Sequence, residues 1–126
     1  LVADRLKLPF LYVRAEAKKH GLGNQIEGGL YGGERVVVLE DLVSTGGSSL
    51  KAVEALRAAD ANVIGLASVF NYGFPLAKAA FETANVPHFN LCGLGVLAER
   101  AIALGYLTPE AQARVEAWRA HPETWG

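Results

Sequence analysis

Apolar runs of strand length alternate along the chain with stretches of helical period. Residues 10–13 (FLYV), 35–39 (RVVVL), 61–70 (ANVIGLASVF) and 88–91 (HFNL) form the runs. Such near-continuous apolar segments mark parallel strands covered on both faces. Between them, residues 48–59 bring Leu50, Val53, Ala55 and Leu56 near one stripe of a helix, and 75–84 make a second helix with Pro75 at an early position. A third helix over 94–104 is stopped by Gly105. Thr108-Pro109-Glu110 is a start signal for a fourth, which runs through Trp118 to about Ala120 before Pro122 ends it. Residues 1–7 read as the tail of a helix, with Leu1, Val2 and Leu6 on one face, ending before Pro9. Strands alternating with helices predict the α/β class: one domain over 1–126 with a parallel sheet flanked by helices.

Residues 18–34 break the pattern. They show no clear period and carry six glycines, Gly21, Gly23, Gly28, Gly29, Gly32 and Gly33. A stretch of this length is too long for a tight turn and is typical of a functional lid, although the pairs Gln25-Ile26 and Leu30-Tyr31 would also suit a projecting β-ribbon.

Composition narrows the function. The 126 residues carry 12 Lys+Arg against 13 Asp+Glu, a formal net charge of −1, which gives no global pull toward nucleic acid or an anionic membrane. Any anion site must therefore be local and built by geometry. The single cysteine, Cys92, excludes an intramolecular disulfide framework and fits a reducing, cytoplasmic compartment; its expected role is that of a small buried hydrophobe. The longest apolar run, 63–70, is far below the roughly 18–20 residues of a membrane span. The chain starts at Leu1 and contains no methionine, so it is expected to be part of a longer translation product.

The most informative stretch is 36–49, VVVLEDLVSTGGSS: a strand, two acids, a Ser/Thr/Gly turn and the start of a helix. Gly46 and Gly47 let the backbone approach an anion, while the free N–H groups and positive dipole end of the following helix stabilise its charge. Ser44, Thr45 and Ser48 add hydroxyl donors. No lysine follows the glycines, which argues against a Walker A loop, and their spacing is not that of a dinucleotide fold. The turn therefore reads as a cradle for one phosphate. Glu40 and Asp41 would repel that phosphate directly, but a few residues away they suit vicinal sugar hydroxyls or a hydrated divalent cation. Phosphate plus diol points to a phosphorylated ribose. On the bland reading, Ser48 is only a helix N-cap, the glycines only a turn and the two acids only solvated. The ordered combination outweighs it, because capping alone does not call for two acids at the mouth of a parallel sheet, where such folds bind ligands. Separately, Arg14, Lys18, Lys19 and His20 place cations at the base of the glycine-rich segment. A flap of this kind can close over a polyanion and meet charge that develops on a leaving group.

The acid–acid, Thr-Gly-Gly-Ser motif resembles the phosphoribosyl pyrophosphate (PRPP) motif of the type I phosphoribosyltransferases. The segment YVRAEAKKHG, followed by GNQIEG, resembles the catalytic loop of the orotate phosphoribosyltransferase family. The resemblance extends over essentially the whole chain, including the Trp118-Arg119 and 122–125 ending. It implies transfer of ribose 5-phosphate from PRPP to N1 of orotate with magnesium and release of pyrophosphate, giving orotidine 5'-monophosphate on the route to UMP. It further implies a flexible catalytic loop over 15–34 with Lys18 and His20 as catalytic residues. PRPP-binding residues fall on Arg14, Lys18, His20, Glu40, Asp41, Ser44, Thr45, Gly46, Gly47 and Ser48. Asp41 would reach the metal through water, and a homodimer would share its active sites.

The pattern departs from the family at two places. Ala15 stands where many relatives carry a second lysine, and 71–75 (NYGFP) lacks the arginine that many relatives use to hold the orotate carboxylate. Tyr72 and Phe74 lie there instead, as base-side or core aromatics. The family also has a strand and a pyrophosphate loop ahead of the first helix, so this chain is expected to expose an uncovered sheet face and to be inactive by itself. Trp118, Trp125, His88 and His121 show no convergent partners and are expected to pack or face solvent. Two other readings remain: a PRPP-binding regulatory protein of the same fold, which would have little reason to keep Lys18 and His20, and a purine phosphoribosyltransferase, which would have little reason for this loop and ending.

Overall fold

The computed structural model describes residues 1–14 and 25–124. Its elements are α1 (Val2–Leu6), β1 (Tyr12–Val13), β2 (Ile26–Glu27), β3 (Arg35–Val43), α2 (Gly47–Ala58), β4 (Asn62–Asn71), α3 (Pro75–Thr83), β5 (His88–Gly93), α4 (Leu94–Ala103) and α5 (Pro109–Ala120), followed by a 3-10 turn at Pro122–Thr124. β3, β4 and β5 pair in parallel in that order, with Val38 opposite Leu66 and Leu66 opposite His88. Helix ends fall where the punctuation predicts. Pro75 opens α3, Thr108 caps α5 by accepting from the Ala111 N–H at 3.3 Å, and Gly105 takes a left-handed φ of 77° just beyond α4.

Residues 10–13 do not join the parallel sheet. Tyr12 and Val13 pair antiparallel with Glu27 and Ile26 in a separate two-stranded ribbon. Ile26 is thus the ribbon residue that the glycine-rich segment supplies, while Leu30 packs against the core without forming a strand.

The sheet is covered on one face, not two. Val53 and Leu56 of α2 and Ala77 and Phe81 of α3 pack with Val38, Val63 and Leu66 into a single core. The chain moves β3 to β4 to β5 in one direction across the sheet, and crossovers of the usual right hand then deliver both helices to the same side. On the opposite side, Val37, Leu39, Val69, Phe89 and Leu91 stand open, Phe89 at 63% and Leu91 at 73% exposure. Cys92, expected to be buried, is only half-buried near the end of β5.

The covered face also holds polar groups. Ser49 completes the inner stripe of α2 with Val53 and Leu56, and Ser68 lies 2% exposed beneath α3. Ser68 Oγ is 2.9 Å from His88 Nε2, and the His88 ring lies 4.8 Å from that of Phe81. Burial holds the imidazole pKa below its ordinary value of 6.5, so the folded state favours neutral His88 and unfolding takes up a proton on acidification. The stability this contributes is complete above the unfolded value and is lost as pH falls through the lowered one. The urea midpoint of the natural polypeptide should therefore decline between about pH 7 and 5, and His88→Gln, which can still bond Ser68, should flatten that decline. An identical slope in the variant would remove His88 as its source.

Candidate phosphate and ribose site

β3 continues to Val43, so Glu40 and Asp41 lie inside the strand and project to opposite sides of it. Glu40, half-buried on the helix side, accepts a 2.7 Å hydrogen bond from Ser49 Oγ. Ser49 is 1% exposed, so this bond fixes the first turn of α2 to the strand. Asp41 is exposed, and its Oδ1 accepts from the Leu42 N–H at 2.7 Å, leaving its other oxygen toward solvent. The two acids therefore differ: Asp41 is open to a ligand, while Glu40 is engaged with the helix.

The chain then turns from strand to helix in three residues, Ser44, Thr45 and Gly46. Gly46 is the N-cap of α2 in a left-handed conformation, φ 81° and ψ −3°, and no side chain caps the helix. Ser48 is not the N-cap, so the bland reading of that residue fails. The first intrahelical bond runs from Leu50 N–H to Gly46 O at 2.9 Å. The N–H groups ahead of it have no intrahelical acceptor and concentrate the positive end of the helix dipole at the turn. Thr45 and Ser48 are exposed beside them and Ser44 is half-buried. This arrangement, at the carboxyl end of a parallel strand, can bind a phosphate through backbone donors without a permanent cation.

Gly46 is buried, and a Cβ there would lie 3.1 Å from Phe81 Cζ. The left-handed backbone and the close ring both demand glycine. The neighbouring turn braces the cradle: the Tyr72 N–H donates to Val43 O at 3.1 Å, one residue before Ser44.

Arg14 stands at the end of the ribbon. Its Nε donates to Glu27 Oε1 at 2.8 Å with a second contact from Nη2, while its backbone N–H donates to Gln25 O at 2.8 Å and its carbonyl accepts from Gln25 Nε2 at 2.9 Å. The predicted loop residues Lys18 and His20, like Ala15 and Lys19, lie outside the described residues. The described part of that segment, 25–34, is anchored. Tyr31 N–H donates to Glu34 Oε1 at 2.7 Å, and Gly33 N–H to Asp60 O at 2.6 Å. Sequence reasoning missed Ser49 and Glu27. Ser49 was detectable, since 49, 53 and 56 repeat at helical spacing; Glu27 became visible only when the ribbon register was known.

Residues 1–82 match the phosphoribosyl transferase domain family. The chain belongs to that family. It is 49% identical over 125 residues to orotate phosphoribosyltransferase of Bacillus caldolyticus, across 99% of this chain and 61% of that protein. It thus spans about three fifths of the length of the curated relatives it matches. Among solved structures, orotate phosphoribosyltransferase from Aeropyrum pernix superposes with a TM-score of 0.71 at 32% identity, covering 85% of this chain and 58% of that one. The Mycobacterium tuberculosis H37Rv enzyme, solved in complex with PRPP, gives a TM-score of 0.58 at 32% identity, covering 69% and 48%. The parallel sheet and flanking helices are those of this phosphoribosyltransferase family, and no described helix is long and apolar enough to cross a membrane.

Gly46→Ala is expected to destabilise the protein by about 1–2 kcal/mol through its left-handed backbone alone, with the Phe81 contact adding to that. It should also weaken phosphate or PRPP binding. Denaturation midpoints and titration calorimetry on the natural polypeptide check both, and wild-type values in the variant would rule out the constraint.

Proposed function

We propose that this chain forms the ribose-phosphate-binding core, as one domain over 1–126, of an orotate phosphoribosyltransferase that acts in the cytoplasm. The observation that carries this reading is the uncapped start of α2 behind Gly46, preceded by the exposed Asp41 carboxylate, whose Oδ1 is occupied by the Leu42 N–H. Similarity to enzymes of that name across 99% of the chain supports the choice of orotate. In the reaction, the bond between C1 of the ribose and the pyrophosphate oxygen breaks, N1 of orotate bonds to C1, and the N1 proton is lost. The products are orotidine 5'-monophosphate and pyrophosphate.

Each group then has a task. Ser44, Thr45, Gly46, Gly47 and Ser48 hold the 5-phosphate through N–H and hydroxyl donors. Asp41 accepts from the ribose hydroxyls, while Glu40, on the opposite side of the strand, is held by Ser49 and steadies the start of α2. Lys18 and His20, on the 15–34 loop, neutralise charge that grows on the departing pyrophosphate, with Arg14 at the loop's base. No protein nucleophile is needed, because departure of the leaving group gives oxocarbenium character at C1, which alignment and neutralisation stabilise.

Magnesium fits this donor set only as a companion of the substrate. Among the described residues no group of three or more His, Cys, Asp or Glu side chains converges to hold a metal. Magnesium keeps its waters readily and binds through substrate phosphates with one or two carboxylates, which Asp41 can serve through water. When bound, the ion supplies positive charge to the pyrophosphate. We extend the proposal to a homodimer in which the loop of one subunit reaches the site of the other.

Orotate-dependent release of pyrophosphate from PRPP by the natural polypeptide tests this reading. Release with orotate and none with adenine or hypoxanthine is expected. Release only with a purine would establish the purine alternative, and PRPP binding without turnover the regulatory one. Within the enzyme, Lys18→Ala should lower kcat at least about a hundredfold while PRPP affinity changes little, as for a contact made only in the transition state. Asp41→Ala should instead weaken PRPP binding itself; calorimetry and steady-state kinetics separate the two. Unchanged kinetics in Lys18→Ala would remove the loop from the mechanism.

A further inference from the structure

The turn between β4 and α3, residues 71–74, is tied to the phosphate cradle on one side and to α5 on the other. On the cradle side, the Tyr72 N–H donates to the carbonyl of Val43, which is 1% exposed and directly precedes Ser44. The turn itself is closed by Asn71 Oδ1, which accepts the Gly73 N–H at 2.8 Å, and Gly73 has a left-handed φ of 73°. On the other side the Tyr72 and Phe74 rings stack nearly parallel, 5.4 Å apart, and Trp118 of α5 meets both edge-on at 5.6 and 5.2 Å. Arg119 follows. Its Nη1 would lie 3.4 Å from a Cβ at Gly73 and 3.5 Å from one at Gly95, so the guanidinium lies across the turn and the start of α4. Glu116 orients it through a 2.5 Å ion pair.

α5 buries no residue completely, and its element-level packing is against α4. Trp118 and Arg119 nevertheless reach past α4 to the carboxyl edge of the sheet. We propose that Trp118 and Arg119 are positioning residues for the phosphate cradle: they clamp the 71–74 turn so that Tyr72 holds the Val43 carbonyl and thereby sets where Ser44 and Thr45 present their donors. The inference rests on the function proposed above and adds a dependence of PRPP binding on a helix that does not touch the substrate. The physical route is short and contiguous, from indole edge to stacked rings, from the Tyr72 backbone to Val43, and from Val43 into the cradle. A small displacement of donors around a bound phosphate has a large effect because such contacts act through geometry.

Binding and kinetics of the natural polypeptide test the clamp. Trp118→Ala and Arg119→Ala are expected to raise the KM for PRPP about tenfold with kcat changed far less. Trp118→Phe, which keeps an aromatic edge on Tyr72 and Phe74, should recover most of the loss. With Trp125 and any other tryptophan of the natural polypeptide replaced by Phe, Trp118 becomes the sole indole, and its emission should change saturably on titration with inorganic phosphate and again with PRPP. Wild-type PRPP KM in both alanine variants, or a silent Trp118 while calorimetry records binding, would overturn the clamp. So would a lowered apparent kcat with wild-type KM that disappears once activity is corrected for the folded fraction. A wild-type protein that binds no PRPP at all would instead overturn the proposed function, so the two failures are distinguishable.

Discussion

A parallel strand must turn into a helix within three residues and leave the helix's first N–H groups facing outward, and only a residue without a side chain can make that corner here. Gly46 satisfies two separate demands at once. Its left-handed backbone reverses the chain direction, and its missing Cβ lets the corner rest on Phe81 of the next crossover helix. Both demands follow from the same packing. α2 can lie flat on β3 and β4 only if its start comes down close to α3, and the closeness that excludes a Cβ also leaves the backbone donors uncapped. The uncapped helix start that suits an anion is thus a by-product of how the crossover is closed, and it calls for no basic patch in a chain of net charge −1.

The same economy shapes the polar groups beneath the cradle. Glu40 would be costly on the covered face without a partner, and Ser49 supplies one from the helix that the cradle begins. Two residues of α2 therefore face opposite ways within one turn: Gly47 is exposed at the helix start, and Ser49 ties the same turn back to the strand. Buried Ser68 and half-buried His88 form a second pair one strand further on, with the His88 ring against Phe81. The corner is braced from below by hydrogen bonds and from the side by the 71–74 turn, while the outer face of the sheet carries no comparable support. There Val37, Leu39, Val69, Phe89 and Leu91 form a broad apolar surface, which is unfavourable in water unless covered.

Much of this was legible in the order of residues. Strand and helix limits followed from apolar runs and from Pro75, Gly105 and Thr108, because those residues act locally and their effects do not depend on the rest of the fold. The cradle was legible for the same reason, since a strand, acids, glycines and a helix in sequence are already adjacent in space. Long-range facts were not. Residues 10–13 have the composition of a buried strand, and only their antiparallel pairing with Ile26 and Glu27 removes them from the main sheet. The one-sided covering of the sheet depends on crossover direction, which composition does not carry. Phe81 under Gly46, 35 positions away, and Arg119 over Gly73, 46 positions away, are contacts between residues whose local patterns say nothing of each other.

In the reaction proposed above, the division between a fixed cradle and a separate cationic loop would follow from what each can do. A cradle built on strand and helix holds the 5-phosphate equally well before and during bond breaking, because that phosphate does not change charge. Such binding raises occupancy but leaves the barrier nearly untouched. Charge changes at the other end of the substrate, on the departing pyrophosphate, and groups that lower the barrier must act there. If permanent cations were built rigidly into that position, they would grip the ground state and hold the product. The sequence places Lys18 and His20 on a glycine-rich segment whose stem carries the Arg14–Glu27 pair, and in the proposed reaction this would separate the two demands. In that reaction, a rigid corner for the unchanging phosphate and separate cations for the changing one would let tight substrate binding and fast product release coexist.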